Sequence, residues 1–192
     1  MPVSSSIRRF IAAAGLVLLP ADPTWAFLIQ TFDSFWGPVQ QSWRRAESGI
    51  AFLIHSAGSD DLTPAETHRI IRASFQTWEQ VSASSVHFRD QGLTDDLRPD
   101  RGDRQNLVFF DESGRYLDAP PGSGIIAVTR INSNDLTGQI IDADIIFNGR
   151  DFRFAGGGQT GSGIDLQDVA VHEIGHLLGL DHTPLDTPPV QP

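Results

Sequence analysis

The chain has 192 residues, is 40% apolar and carries a net charge of −10, with fourteen Arg and no Lys. That size and apolar content suit one globular domain with a real core, and the absence of cysteine excludes a disulfide framework and any thiolate metal site. An acidic chain is a poor nucleic-acid binder, so no nucleic-acid partner is expected. The acidity reads first as solubility, and second as calcium binding by some of the carboxylates.

Residues 1–26 read as a secretory signal. Arg8 and Arg9 form a positive start, Phe10 to Leu19 an apolar run too short to span a bilayer, and Pro20 breaks it. Thr24-Trp25-Ala26 offers a cleavage site after Ala26, which predicts a secreted protein with no stable membrane insertion; an uncleaved anchor or a buried N-terminal helix are the alternatives. Residues 27–48 mix Phe27, Phe32, Phe35, Trp36 and Trp43 with polar residues, as a short leader or a segment packed on the domain, with no function assigned. The domain proper is expected over 49–192.

Gly49 to His55 is an apolar run of strand type. Thr63-Pro64-Ala65-Glu66 then opens a helix, with Thr63 as N-cap, Pro64 at the first position and Glu66 closing a capping box. Its apolar face is Ile70, Ile71, Ser74, Phe75 and Trp78, and it is expected to run to about Val81. Val86-His87-Phe88 reads as the next strand, 90–105 as a loop, and Leu107 to Phe110 as a third strand. After a Gly/Pro/Asp loop, Gly124 to Ile131 and Gln139 to Phe147 read as the fourth and fifth strands. A Gly-rich segment, 148–164, lacks the Lys of a phosphate loop, so no nucleotide site is expected. Asp165 caps a final helix from 166 to about 179, with Asp168 set against its N-terminal dipole.

That helix carries His172-Glu173-Ile174-Gly175-His176-Leu177-Leu178-Gly179-Leu180-Asp181-His182. His172 and His176, four residues apart, stack on one helix face, about 40° apart and roughly 6 Å along the axis. Two imidazoles so placed can bind one zinc ion. Gly179 can take the left-handed conformation that ends helices, so the chain can turn back and present His182. Three neutral imidazoles leave a fourth position open for water, as in a catalytic site. Glu173, beside the first ligand, can take that water's proton and pass it to a leaving amine, which is peptide hydrolysis without a covalent intermediate. The bland alternative is a surface helix with two His and a Glu by accident, and the Gly and third His at fixed offsets weigh against it.

Val169 to His182 resembles the signature of the metzincin metalloproteases, in its matrixin (matrix-metalloprotease-like) branch. The resemblance implies that His172, His176 and His182 are zinc ligands and Glu173 the general base. The order strand, helix, strands, zinc helix over about 50–182 resembles the matrixin upper subdomain. It implies an α+β fold with a five-stranded, twisted, mostly parallel sheet, an antiparallel edge strand and two long helices. Phe75 to Val81 and Ala143 to Asn148 are similar to matrixin segments too. By the same resemblance, Gly124 to Thr129 would pair with a polypeptide substrate bound extended along the sheet edge. A monomer is expected. Without cysteine, the thiolate latency of many animal matrixins is excluded. No His-x-Asp cluster precedes the fifth strand, so no second zinc is expected. Asp142 and Asp144 alternate on one strand face, as calcium candidates or, more simply, as loop caps or a solvated face. His55, His68 and His87 are scattered and read as core or surface residues.

Only Met1 is a Met, and ten residues follow His182, so the chain is expected to stop before the Met-turn of metzincins. Two function classes remain: a secreted zinc endopeptidase, or a truncated, inactive module that binds zinc or peptide. A third reading has the histidines binding nothing.

Overall fold

The computed structural model describes residues 28–34, 37–44, 46–82, 84–99, 102–157 and 163–182. The expected signal, its cleavage site and the Pro-rich tail lie outside the described residues, as does 158–162 of the Gly-rich segment. Residues Ile29–Asp181 form one compact unit. Leu28 and His182 are the described residues outside it, and Ile29–Asp181 carries the fold.

Five strands form one sheet: β1 (Ile50–His55), β2 (Phe88–Thr94), β3 (Leu107–Phe110), β4 (Ala127–Ser133) and β5 (Ile140–Phe147). The order is β2-β1-β3-β5-β4, with β4 antiparallel to β5 and the other neighbours parallel. Helices α1 (Pro64–Glu79) and α2 (Leu166–Leu177) complete the expected α+β fold. The central β3 is buried throughout, as a parallel strand covered on both faces must be.

The main core joins Ile50, Phe52 and Ile54 of β1 to Ile70, Ile71 and Phe75 of α1 and to Leu166, Ala170, Ile174 and Leu177 of α2. Phe52 and Phe75 stack with ring centroids 3.8 Å apart. A smaller core on the other face gathers Leu107, Phe109, Leu117 and Ile146. Thr63 caps α1 by accepting from Glu66 N at 3.3 Å, while Glu66 Oε1 accepts from Arg69 Nη2 at 3.2 Å.

The second strand differs from the expectation. It runs through 88–94, most of it inside the expected 90–105 loop, because pairing to β1 overrides the low strand propensity of Asp90 and Gly92. Gly92 takes φ +96 where the register between Phe52 and Ile54 slips, so the poor strand formers sit at an irregularity on an exposed edge. The fourth strand is displaced to 127–133, since Gly122 and Gly124 both hold positive φ in the turn before it.

Residues 31–34 and 37–40 form a hairpin, and Gln41 to Trp43 pack on the end of α2 and its turn. Trp43 Nε1 donates to Leu177 O at 2.7 Å, which satisfies one of the carbonyls a helix end leaves open. Gln30 N donates to Gly179 O at 2.8 Å. Two glycines of α2 and its turn allow close approach. At Gly175 a Cβ would meet Trp78 Cζ2 at 3.1 Å, and the indole Nε1 donates to Val171 O at 2.8 Å. At Gly179, φ is +90 and a Cβ would meet Gln41 O at 2.7 Å.

Asp142 and Asp144 are nearly fully buried, so neither forms a solvated face. Both cap the loop before β3: Asp142 Oδ2 accepts from Gly102 N at 3.2 Å and Asp144 Oδ1 from Leu107 N at 2.9 Å. Asp142 Oδ1 has no hydrogen-bond partner among the described residues. Burial pushes the Asp142 carboxyl up to about 6 and the Asp144 carboxyl up to about 7, and neighbouring carboxylates add to both shifts.

Gly179→Ala combines a left-handed backbone with a clash against main chain, and is expected to cost more than about 1 kcal/mol of stability. An unchanged denaturant midpoint would refute that. Asp142 and Asp144 bind protons more tightly folded than unfolded. Their stabilisation is therefore complete below the unfolded value near 3.8 and is lost as pH rises through 6 and 7. The Tm contribution of this pair is expected to decline from about pH 4 to about pH 8, and Asp144→Asn to flatten the decline. Parallel Tm profiles for the native chain and the variant would count against it.

Candidate metal centre

Helix α2 begins where Asp165 accepts from Gln167 N at 2.8 Å and Asp168 N at 3.4 Å, with Asp168 in the first turn. Leu166, Ala170, Ile174 and Leu177 form a stripe at helical spacing that is buried almost completely. The stripe fixes the rotation of the helix about its axis. His172 is thereby turned outward and exposed, His176 is half-buried, and Glu173 lies beside the stripe with 5% exposure.

The two imidazoles face each other edge to face, with ring centroids 4.7 Å apart and an interplanar angle of 85°. Their Nε2 atoms are 3.0 Å apart. Two ring nitrogens that close must share a proton or a cation, since two lone pairs alone repel. Tetrahedral zinc with Zn–N distances of about 2.0–2.1 Å holds its ligand nitrogens about 3.3 Å apart, close to this spacing.

The turn after α2 sets the second imidazole. Leu178 N donates to Ile174 O at 3.0 Å and Gly179 N to His176 O at 2.8 Å, and the left-handed Gly179 reverses the chain. Leu180 O then lies 2.8 Å from His176 Nδ1. A carbonyl can only accept, so Nδ1 carries a proton, and in the neutral ring the lone pair is then on Nε2, toward His172. Backbone control of the tautomer in this way is typical of metal-ligating histidines. His182 follows the turn, and the candidate ligand atoms of His172, His176 and His182 all lie within 4.8 Å of one another. Three neutral imidazoles in one cluster fit zinc.

Glu173 points to the neighbouring strand rather than along the helix. Thr129 Oγ1 of β4 lies 2.6 Å from Glu173 Oε2 and 3.0 Å from Glu173 O. The sequence alone does not single out Thr129. It stands 44 residues from Glu173, and no spacing rule links them. The other histidines lie apart from this cluster: His68 Nε2 is 3.2 Å from His55 O, and His87 Nδ1 is 3.9 Å from Glu79 Oε1 at the surface. Among the described residues, no helix is long and apolar enough to cross a membrane.

A family model described as Matrixin matches residues 42–187. Curated relatives from Arabidopsis thaliana include metalloendoproteinase 5-MMP, 29% identical over 153 residues, which are 78% of this chain and 38% of that protein. Metalloendoproteinase 1-MMP is 30% identical over 133 residues, 65% of this chain and 31% of that protein. The chain thus spans less than two-fifths of the length of these relatives. The matched stretch contains the whole five-stranded sheet, both helices and the three clustered imidazoles, and on that match the chain belongs to the matrixin family.

Proposed function

We propose that the chain is a zinc-dependent endopeptidase in which His172, His176 and His182 hold the metal and Glu173 is the general base. The observation that carries this reading is the imidazole cluster, with the tautomer of His176 set by Leu180 O. Zinc bound there would acidify a water molecule and polarise a peptide carbonyl. Glu173 takes the proton as water attacks, and delivers it to the departing amine as the C–N bond breaks. Its low exposure strengthens its electrostatic action on the reacting atoms.

The substrate is a polypeptide in extended form. Among the described residues, strand β4 is the last of the sheet on the α2 side, which leaves its outer backbone edge for strand addition. Secretion through residues 1–26, with cleavage after Ala26, completes the reading and rests on the positive start and apolar run of that segment.

The zinc-loaded chain is expected to cleave quenched fluorescent peptides. Glu173→Ala should lower the rate about 10²–10⁴-fold while zinc stays at one per chain. His176→Ala should lose the metal itself. Stoichiometric zinc in a folded native chain that cleaves no peptide would instead support a binding module without turnover.

A further inference from the structure

We propose that Thr129 is a positioning residue that aims the carboxylate of Glu173. The inference rests on the reading of Glu173 as general base. Thr129 lies on β4 opposite Ile145 of β5, so main-chain hydrogen bonds to the sheet fix its Cα and the direction of its Cβ. A β-branched residue in a strand is stiff at χ1, which leaves its hydroxyl little freedom. Oγ1 lies 2.6 Å from Glu173 Oε2 and 3.0 Å from Glu173 O. A hydroxyl has one proton to give. Oε2 is the nearer acceptor, so the proton points to it.

The consequence is geometric. Glu173 reaches its carboxylate through three rotatable bonds, and a buried carboxylate needs donors. The bond from Thr129 fixes Oε2, and with it the direction in which Oε1 faces. Thr129 acts through Glu173, by holding the base in one orientation through the proton transfer. It also ties the strand proposed to pair with substrate to the group proposed to move the proton. An error in strand position is thus transmitted to the base.

The test uses the full chain loaded with zinc, with Thr129→Val, Thr129→Ser and Glu173→Ala compared in steady-state peptide cleavage. Valine keeps the shape and strand preference and removes the donor. It is expected to lower kcat about tenfold to a hundredfold, with KM and zinc content unchanged. Serine restores the hydroxyl and should recover most of the loss, which a purely structural role of the methyl group would not allow. A crystal structure of the zinc-loaded Thr129→Val chain should show the Glu173 carboxylate displaced from the strand. If Glu173→Ala abolishes cleavage while Thr129→Val matches the native chain, the base survives and the positioning role is overturned. If Glu173→Ala cleaves as the native chain does, or none of the chains cleaves, the base reading has failed and the positioning role falls with it. A carboxylate that stays in place in the valine variant overturns the inference whatever the kinetics show.

Discussion

Helix α2 has to satisfy two demands with the same twelve residues. One stripe must be apolar enough to anchor the helix on the sheet, and another carries the two imidazoles of the candidate metal centre. With about 3.6 residues per turn the two stripes cannot be chosen independently. Burial of Leu166, Ile174 and Leu177 contributes roughly 1.5–3 kcal/mol per side chain and locks the rotation of the helix. Once that rotation is fixed, positions 172 and 176 open outward and position 173 turns to the strand beside it. The two packed glycines arise from the same demand. Gly175 lets the indole of Trp78 close on the helix from α1, and Gly179 lets Gln41 close on the turn from the N-terminal side. Helix α2 is thus gripped near its middle and at its end, and the imidazoles are carried on a rigid element.

The elements that define the site's chemistry were legible in the sequence, because each is local. The i, i+4 histidines, the helix cap at Asp165 and the left-handed Gly179 all depend on neighbours within one or two turns, and the structure reproduces them. The main core was legible for the same reason, since Ile70, Ile71, Ser74 and Phe75 repeat at helical spacing and are all buried. The features that escaped are set by distant partners. Strand β2 contains Asp90, Gln91 and Gly92, which locally favour a loop, and it extends because β1 supplies its hydrogen bonds. The hairpin over 31–40 carries Gly37-Pro38 within one strand and has no clean alternation, so periodicity gave no sign of it. Thr129 was invisible as a partner of Glu173 because only the sheet brings them together.

The N-terminal hairpin and the stretch after it change how residues 29–44 are understood. Composition leaves them as a short leader or a segment packed on the domain, and Trp43 and Gln30 supply donors to carbonyls at the end of α2 and in its turn. Ile140 N also donates to Ser42 O at 2.9 Å, which joins the segment to the start of β5. The segment therefore supports the turn that sets the tautomer of His176.

The buried carboxylates of this chain separate by what donates to them. Asp111 accepts from Leu117 N, Tyr116 N, Ser113 Oγ and Arg115 N, and these donors hold its carboxyl below the usual range although burial alone would raise it. Asp142 and Asp144 also accept from backbone amides, too few to offset their burial, and their carboxyls stand high. In all three the donors are mostly main-chain groups of one loop, so the carboxylate fixes a chain path. Glu173 is nearly as buried, but the donor that reaches it from the sheet is a side-chain hydroxyl on another element. A hydroxyl can rotate and can serve either charge state of its partner, whereas an amide can only donate. A carboxylate proposed to gain and lose a proton, as Glu173 is, is served by a partner of the first kind. A carboxylate that anchors a loop is better served by the second.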